Sequence, residues 1–373
     1  MKPKKQWIVL ACAIILFISS GVGCFFLGKH CETAQIHKEQ ALNILLNRSE
    51  LEGLADINGT IYVTGHKSPD ADTVCSSIAY ASLLQKLGYD AVPVVLGKIN
   101  QETEYILKEA GVETPTLLDS AAGLNMVLVD HGDYEQSADG MDSANIVSII
   151  DHHADGSVTT GNQIIYDARP LGSTATIIWI RYRNYGVEID QKTAFIMTGA
   201  ILSDTRNFEN DTTTSADREA VKALGTLGGI SDTNTFYQEM YKASISYTGM
   251  TDEEIFYSDY KEYESNGVKY AIGCISVYDE TDAKDMAERM TTILPSACVK
   301  SQMDMAFAQI NILHDGISRS FIVPSDDAAA DIIRTAFPDT ANYDGSSFGF
   351  NPGMSRKQVL VPAITEALKA ASK

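Results

Sequence analysis

The chain has 373 residues, 45% of them hydrophobic, enough for two ordinary globular domains. Its formal net charge of −20 excludes a nonspecific grip on nucleic acid, which depends on Lys and Arg neutralising phosphates. An anionic substrate would need local cations, supplied by basic side chains or by metal ions.

At the N-terminus, MKPKK precedes WIVLACAIILFISSGVGCFFL, an uncharged run over residues 7–27. That length suits one bilayer-crossing helix, so residues 1–30 read as an uncleaved membrane anchor. A cleaved signal or a lipoprotein box at GVGC is the alternative. Lys2, Lys4 and Lys5 precede the run, and the positive-inside rule then places the main domains outside the cytoplasm. Residues 31–58 are polar with scattered Leu and Ile and read as a linker or stalk.

From Gly59 short apolar runs alternate with longer helical segments. The runs are IYVT (61–64), AVPVVLG (91–97), NMVLV (125–129) and NIVSII (145–150). Continuous apolar runs between helices predict strands covered on both faces, hence a mainly parallel sheet in an α/β domain over 59–248. A second, smaller α/β domain follows over 249–373. KYAIGCISV (269–277) and MAFAQINIL (305–313) are its predicted strands; DAKDMAERMTTIL and DDAAADIIRTAF are predicted helices. Cys75, Cys274 and Cys298 are scattered, with no C-x-x-C pair, and read as apolar filler.

Three polar clusters follow apolar strands directly. IYVTG leads to His66, Asp70 and Asp72; NMVLV leads to Asp130 and His131; NIVSII leads to Asp151, His152 and His153. In a parallel sheet the carboxyl ends of the strands lie along one edge, where ligands bind. Asp204 ends another apolar helical run, TAFIMTGAILS. Oxygen and imidazole donors without thiolates suit a divalent ion such as manganese, and two ions about 3.5–4 Å apart can clamp a phosphoryl oxygen. Taken singly, an Asp after a strand is commonly a helix cap, and Asp72 is placed to cap a helix beginning near Thr73. The adjacent His152 and His153 have no such common structural purpose.

GHKSPDAD (65–72), VDH (129–131), DHH (151–153) and SDT (203–205) resemble the DHH phosphoesterase superfamily, and within it the manganese-dependent family II inorganic pyrophosphatases. SRKQ, Ser355 to Gln358, is similar to that family's C-terminal phosphate-binding signature. The resemblance implies a DHH domain, a C-terminal substrate-binding domain and an active site in the cleft between them. It further implies one Mn²⁺ held by His66, Asp70, Asp130 and Asp204, and a second by Asp72, Asp130, His152 and Asp204. Asp130 and Asp204 would bridge the ions and, with His153, count as catalytic. His153, Lys261, Arg356 and Lys357 would bind pyrophosphate, which a bridging hydroxide splits to two orthophosphates, with Mg²⁺ as a possible third ion. A homodimer is implied as well. The sequence departs from the family at SPDAD, VDHGD and Ser173, without loss of a proposed ligand. Alternative readings are an exopolyphosphatase or other DHH phosphoesterase, or a non-catalytic phosphate or metal sensor.

Overall fold

The computed structural model describes residues 35–54, 57–154, 156–313, 319–338 and 342–371. The chain divides into two compact units, Met1–Tyr237 and Gln238–Lys373.

The first unit opens with helix α1 over residues 35–49. It continues as β1 (Ile61–Thr64), α2 (Ala71–Lys86), β2 (Ala91–Val95), α3 (Gln101–Ala110), β3 (Thr116–Leu117), β4 (Asn125–Val129), β5 (Asn145–Asp151) and β6 (Ile165–Ala168). Helices α4 (Thr174–Asn184), α5 (Gln191–Asp204), α6 (Ser215–Gly228) and α7 (Thr233–Ser244) follow, the last running across the division. The strands form one six-stranded sheet in the order β3-β2-β1-β4-β5-β6, and every pairing is parallel. β4 and β5 are buried almost throughout, as strands covered on both faces must be. The four apolar runs assigned to strands are strands; β3 and β6 are too short and too exposed to show an apolar run. From β1 the chain lays strands first to one side and then to the other. The order reverses between β1 and β4, where parallel sheets open a ligand crevice at their carboxyl ends.

The second unit comprises α8 (Asp252–Ser258), β7 (Tyr260–Ser265), β8 (Val268–Val277), α9 (Glu280–Lys300), β9 (Met305–Ile312), β10 (Arg319–Pro324), α10 (Asp327–Ala336), β11 (Asn342–Tyr343), β12 (Phe348–Phe350) and α11 (Val361–Ala371). Its sheet runs β11-β12-β10-β9-β8-β7; β8 and β9 are parallel and the other pairs antiparallel. Alternation along β9 sends Ala306, Ala308 and Ile310 to a core with α9. Phe307 goes to the opposite face, against residues of α10 and α11.

The expected membrane-spanning helix is corrected. No helix among the described residues is long and apolar enough to cross a membrane; the apolar run 7–27 itself lies outside the described residues. α1 carries His37, Lys38, Glu39 and Arg48, and α9, with 21 residues, is studded with Asp, Glu, Lys and Arg. A spanning helix needs about 20 predominantly apolar residues. The membrane attachment and the extracytoplasmic placement of the domains rested on that run and have no support among the described residues.

Candidate metal centre

The loop after β1 turns directly into α2, and Asp70 is the N-cap of that helix, its Oδ1 accepting from the Thr73 amide at 2.9 Å. The cap is therefore Asp70, and the capping role open to Asp72 in the sequence is not the one it takes. Asp72, the second residue of α2 and within its first turn, is fully buried and faces the start of α4. Its Oδ1 accepts from Ser76 Oγ (3.0 Å), Ser173 Oγ (2.8 Å) and the Ala175 amide (3.0 Å), and its Oδ2 from the Thr174 amide (2.6 Å). Ser173 is the N-cap of α4, and the free N–H groups at that helix start face an anion, the Asp72 carboxylate.

Asp130 follows β4 with φ +65°, a conformation costly for a side-chain-bearing residue and tolerated best by Asp and Asn. The turn brings its carboxylate into the crevice, where it is 2% exposed. Oδ2 accepts from Thr73 Oγ1 at 2.7 Å and lies 3.5 Å from His66 Nε2. Oδ1 accepts from Thr174 Oγ1 at 3.1 Å and lies 3.3 Å from His152 Nε2. Asp204, the last residue of α5, has Oδ2 3.3 Å from the same His152 Nε2. His66 Nε2 is 3.4 Å from Asp70 Oδ2.

Donor atoms thus cluster within 4.8 Å in three overlapping sets: Asp72, Asp130, His152 and Asp204; His66, Asp70 and Asp130; and Asp130, His152 and His153. The second ligand set implied by the sequence is assembled complete. The first is assembled without Asp204.

The residues fit a metal ion on a specific observation. His152 Nε2 is buried with no hydrogen-bond partner. Its Nδ1 lies 3.0 Å from the Leu171 carbonyl. A carbonyl only accepts, so Nδ1 carries a hydrogen, and Nε2, once deprotonated, turns a lone pair toward the oxygens of Asp130 and Asp204. Lone pairs gathered in this way call for a cation. The electrostatics agree. Burial and the Asp130 charge push Asp72 up to about 6; burial and the Asp72 charge push Asp204 well above the carboxylate range. Burial opposes charging the imidazoles, yet Asp130 and Asp70 carry His66 up to about 10, and Asp130 and Asp72 carry His152 up to about 9. Asp130 is held low: burial raises it, and His152 and His66 more than compensate.

His153 is the half-exposed member, open to a cavity of about 640 Å³ that Asp70, Asp130, His152 and Asp204 also line. A larger cavity of about 880 Å³, near α1, β5 and β6, contains none of the predicted site residues. Asp151, buried at the end of β5, accepts from the His153 amide at 3.0 Å and sits 2.9 Å from its Nδ1. His131 is buried, with Nδ1 on the Val129 carbonyl and Nε2 on Ser137 Oγ, and belongs to the packing.

In the second unit, Lys261 lies on β7 and Lys357 follows Arg356. Both lysines are exposed, and neither makes an ion pair among the described residues. Arg356 is held by Asp259, Nη2 to Oδ1 at 2.7 Å.

Sequence reading gave no site role to the supporting groups: Thr73, Thr174, the Leu171 carbonyl, Asp151 and Asp217. Asp217 is buried and accepts from the Gly172 amide, Thr176 Oγ1 and Thr214. It thereby ties the loop bearing Leu171 to the cavity wall at Thr214. Asp151 was visible in the DHH triplet; the others are ordinary hydroxyls and carbonyls that become significant only when brought together.

Residues 60–201 match the model of the DHH family, N-terminal domain, and residues 238–367 that of the DHHA2 domain. A probable manganese-dependent inorganic pyrophosphatase of Bacillus licheniformis is 35% identical over 312 residues, covering 83% of this chain and 99% of the relative. A manganese-dependent inorganic pyrophosphatase of Methanothrix thermoacetophila is 34% identical over 311 residues, covering 83% and 98%. The crystal structure of a putative family II inorganic pyrophosphatase of Methanococcus jannaschii superposes with a TM-score of 0.50 at 33% identity, covering 83% of this chain and 99% of that one.

Proposed function

The chain belongs to the manganese-dependent inorganic pyrophosphatases, and from that premise we infer that it hydrolyses pyrophosphate to two orthophosphates with manganese as its cofactor. The observation that carries the reading is the cluster of Asp72, Asp130, His152 and Asp204 at the sheet's switch point, with the unpartnered His152 Nε2 at its centre.

In this reading His66, Asp70, Asp130 and Asp204 would hold one ion, and Asp72, Asp130, His152 and Asp204 would hold the other. Manganese held there supplies positive charge to phosphoryl oxygens and makes a water acidic enough to serve as nucleophile. The chain's own groups do the rest. Thr73 and Thr174 fix the two oxygens of Asp130, and the start of α4 fixes those of Asp72. Asp151 orients the His153 ring and, against the opposing effect of burial, holds its pKa above the ordinary value. His153, half-exposed at the cavity, is placed to donate to the leaving phosphate. Arg356 offers a fork, and Lys261 and Lys357 point charges, to phosphate oxygens. Magnesium arriving with pyrophosphate and a homodimeric state belong to the same proposal; light scattering giving twice the chain mass would support the dimer.

The test is phosphate release by the full chain, stripped with chelator and reloaded with Mn²⁺ or Mg²⁺, from pyrophosphate, polyphosphate and short oligonucleotides. Fast Mn²⁺-dependent release from pyrophosphate alone is expected. No release from pyrophosphate with metal demonstrably bound would overturn the assignment.

A further inference from the structure

Arg356 is not a free cation waiting for an anion. Nη1 donates to the carbonyls of Asp259 (2.7 Å) and Ile272 (3.3 Å), and Nη2 to the Asp259 carboxylate (2.7 Å). Ile272 is the β8 residue in register with Lys261 on β7, so the Arg356 head group lies beside the strand pair that carries Lys261. A guanidinium has five N–H donors. These three bonds leave two N–H groups, and the Cys274 thiol also lies against the guanidinium; the N–H capacity that remains can meet phosphoryl oxygen. The Arg356 side chain is 11% exposed, whereas Asp259 is 56% exposed. A half-solvated carboxylate therefore sits against the guanidinium, in a position where a bound phosphate would feel its negative charge.

We propose that Asp259 is a specificity-determining residue of the phosphate grip, holding Arg356 in place while its charge weakens the hold on orthophosphate. This rests on Arg356 serving as a phosphate ligand. The two backbone carbonyls, one of them Asp259's own, would keep the guanidinium oriented without the Asp259 carboxylate, so the carboxylate's separate contribution is electrostatic. Pyrophosphate, more highly charged and reaching several cations, overcomes the local repulsion; a single orthophosphate feels it more in proportion. The residue thus favours release of product over retention.

The deciding measurement is the inhibition constant of orthophosphate against pyrophosphate hydrolysis by the full manganese-loaded chain. Asp259→Asn keeps an oxygen that can accept from Nη2 and removes only the charge; it should tighten orthophosphate inhibition about three- to tenfold. Asp259→Glu should return the wild-type constant. Unchanged or weaker inhibition in Asp259→Asn, with Arg356→Ala weakening it, would overturn the role of Asp259 while leaving Arg356 in the grip. Unchanged inhibition in Arg356→Ala would instead remove Arg356 from the grip, and this inference with it.

Discussion

At the scale of single residues, the site is a set of groups that are costly to bury and are arranged so that a cation relieves them together. Asp204 shows this most plainly: it lies at His152 Nε2 together with Asp130, and its carboxyl is driven well above the usual range by burial and by Asp72. Asp204→Asn removes the charge and should lower kcat/KM for pyrophosphate more than about 100-fold, since even partners of metal ligands cost 10–100-fold; activity within tenfold of wild type would remove Asp204 from the centre. Protonation gives a second prediction. With His66 at about 10 and His152 at about 9 in the metal-free chain, both rings are charged at neutral pH. Manganese takes them deprotonated, so its affinity should rise with pH toward 9–10, and binding at pH 7.5 should release more than one proton per chain. Calorimetry in two buffers of different ionisation enthalpy measures this directly, and release of less than one proton would contradict it. The ligand types were legible as residues because charged and imidazole side chains after apolar strands are conspicuous. Thr73 and Thr174 were not, because a hydroxyl at a helix start has an ordinary capping role and its partner Asp130 is more than 40 positions away from each.

At the scale of elements, α4 links the metal centre to the rest of the first unit. Its N-terminus holds Asp72, and toward its C-terminus Arg181 pairs with Asp167 at 2.6 Å and with Glu50 at 3.2 Å. The loop entering α4 has no room to spare. A Cβ on Gly172 would lie 2.7 Å from Thr205 Cγ2 and 2.8 Å from Asp217 Oδ2. Gly172→Ala should therefore cost about 1–3 kcal/mol, read as a lower urea midpoint with unchanged slope, and should loosen manganese binding through Leu171 and His152. A midpoint equal to wild type would show that the loop can move aside. Helix α9 illustrates the limit of local rules. The predicted helix stops before Pro295, where proline ordinarily breaks a helix, but the element runs on to Lys300. Leu294, Ala297 and Cys298 are buried against β9 and its neighbours, and that packing outweighs the local defect.

At the scale of the molecule, the metal centre and the stability of the first unit are coupled. In the metal-free chain His66 has a raised pKa, so its favourable pairing is complete below about 6.5 and is lost as pH climbs toward 10. Asp72, raised to about 6, adds a penalty that grows between about 3.8 and 6 and persists above. The chelated protein should therefore lose stability on going from neutral to alkaline pH, and manganese should restore it by about 2.7 kcal/mol at a concentration 100 times its Kd. Thermal denaturation at pH 7 and 9, with and without Mn²⁺, checks both signs; a melting point indifferent to the metal would refute the coupling. The sequence by itself determined the α/β character, the main parallel strands and the donor residues, because burial on both faces writes continuous apolar runs and metal chemistry restricts the residue types that follow them. Tertiary structure alone decided that Asp70 rather than Asp72 caps α2, that α4 clasps Asp72, and that Asp259 holds Arg356. Each of these is a contact between residues that local sequence does not relate, settled by where the chain's return brings a hydrogen-bond donor to a carboxylate.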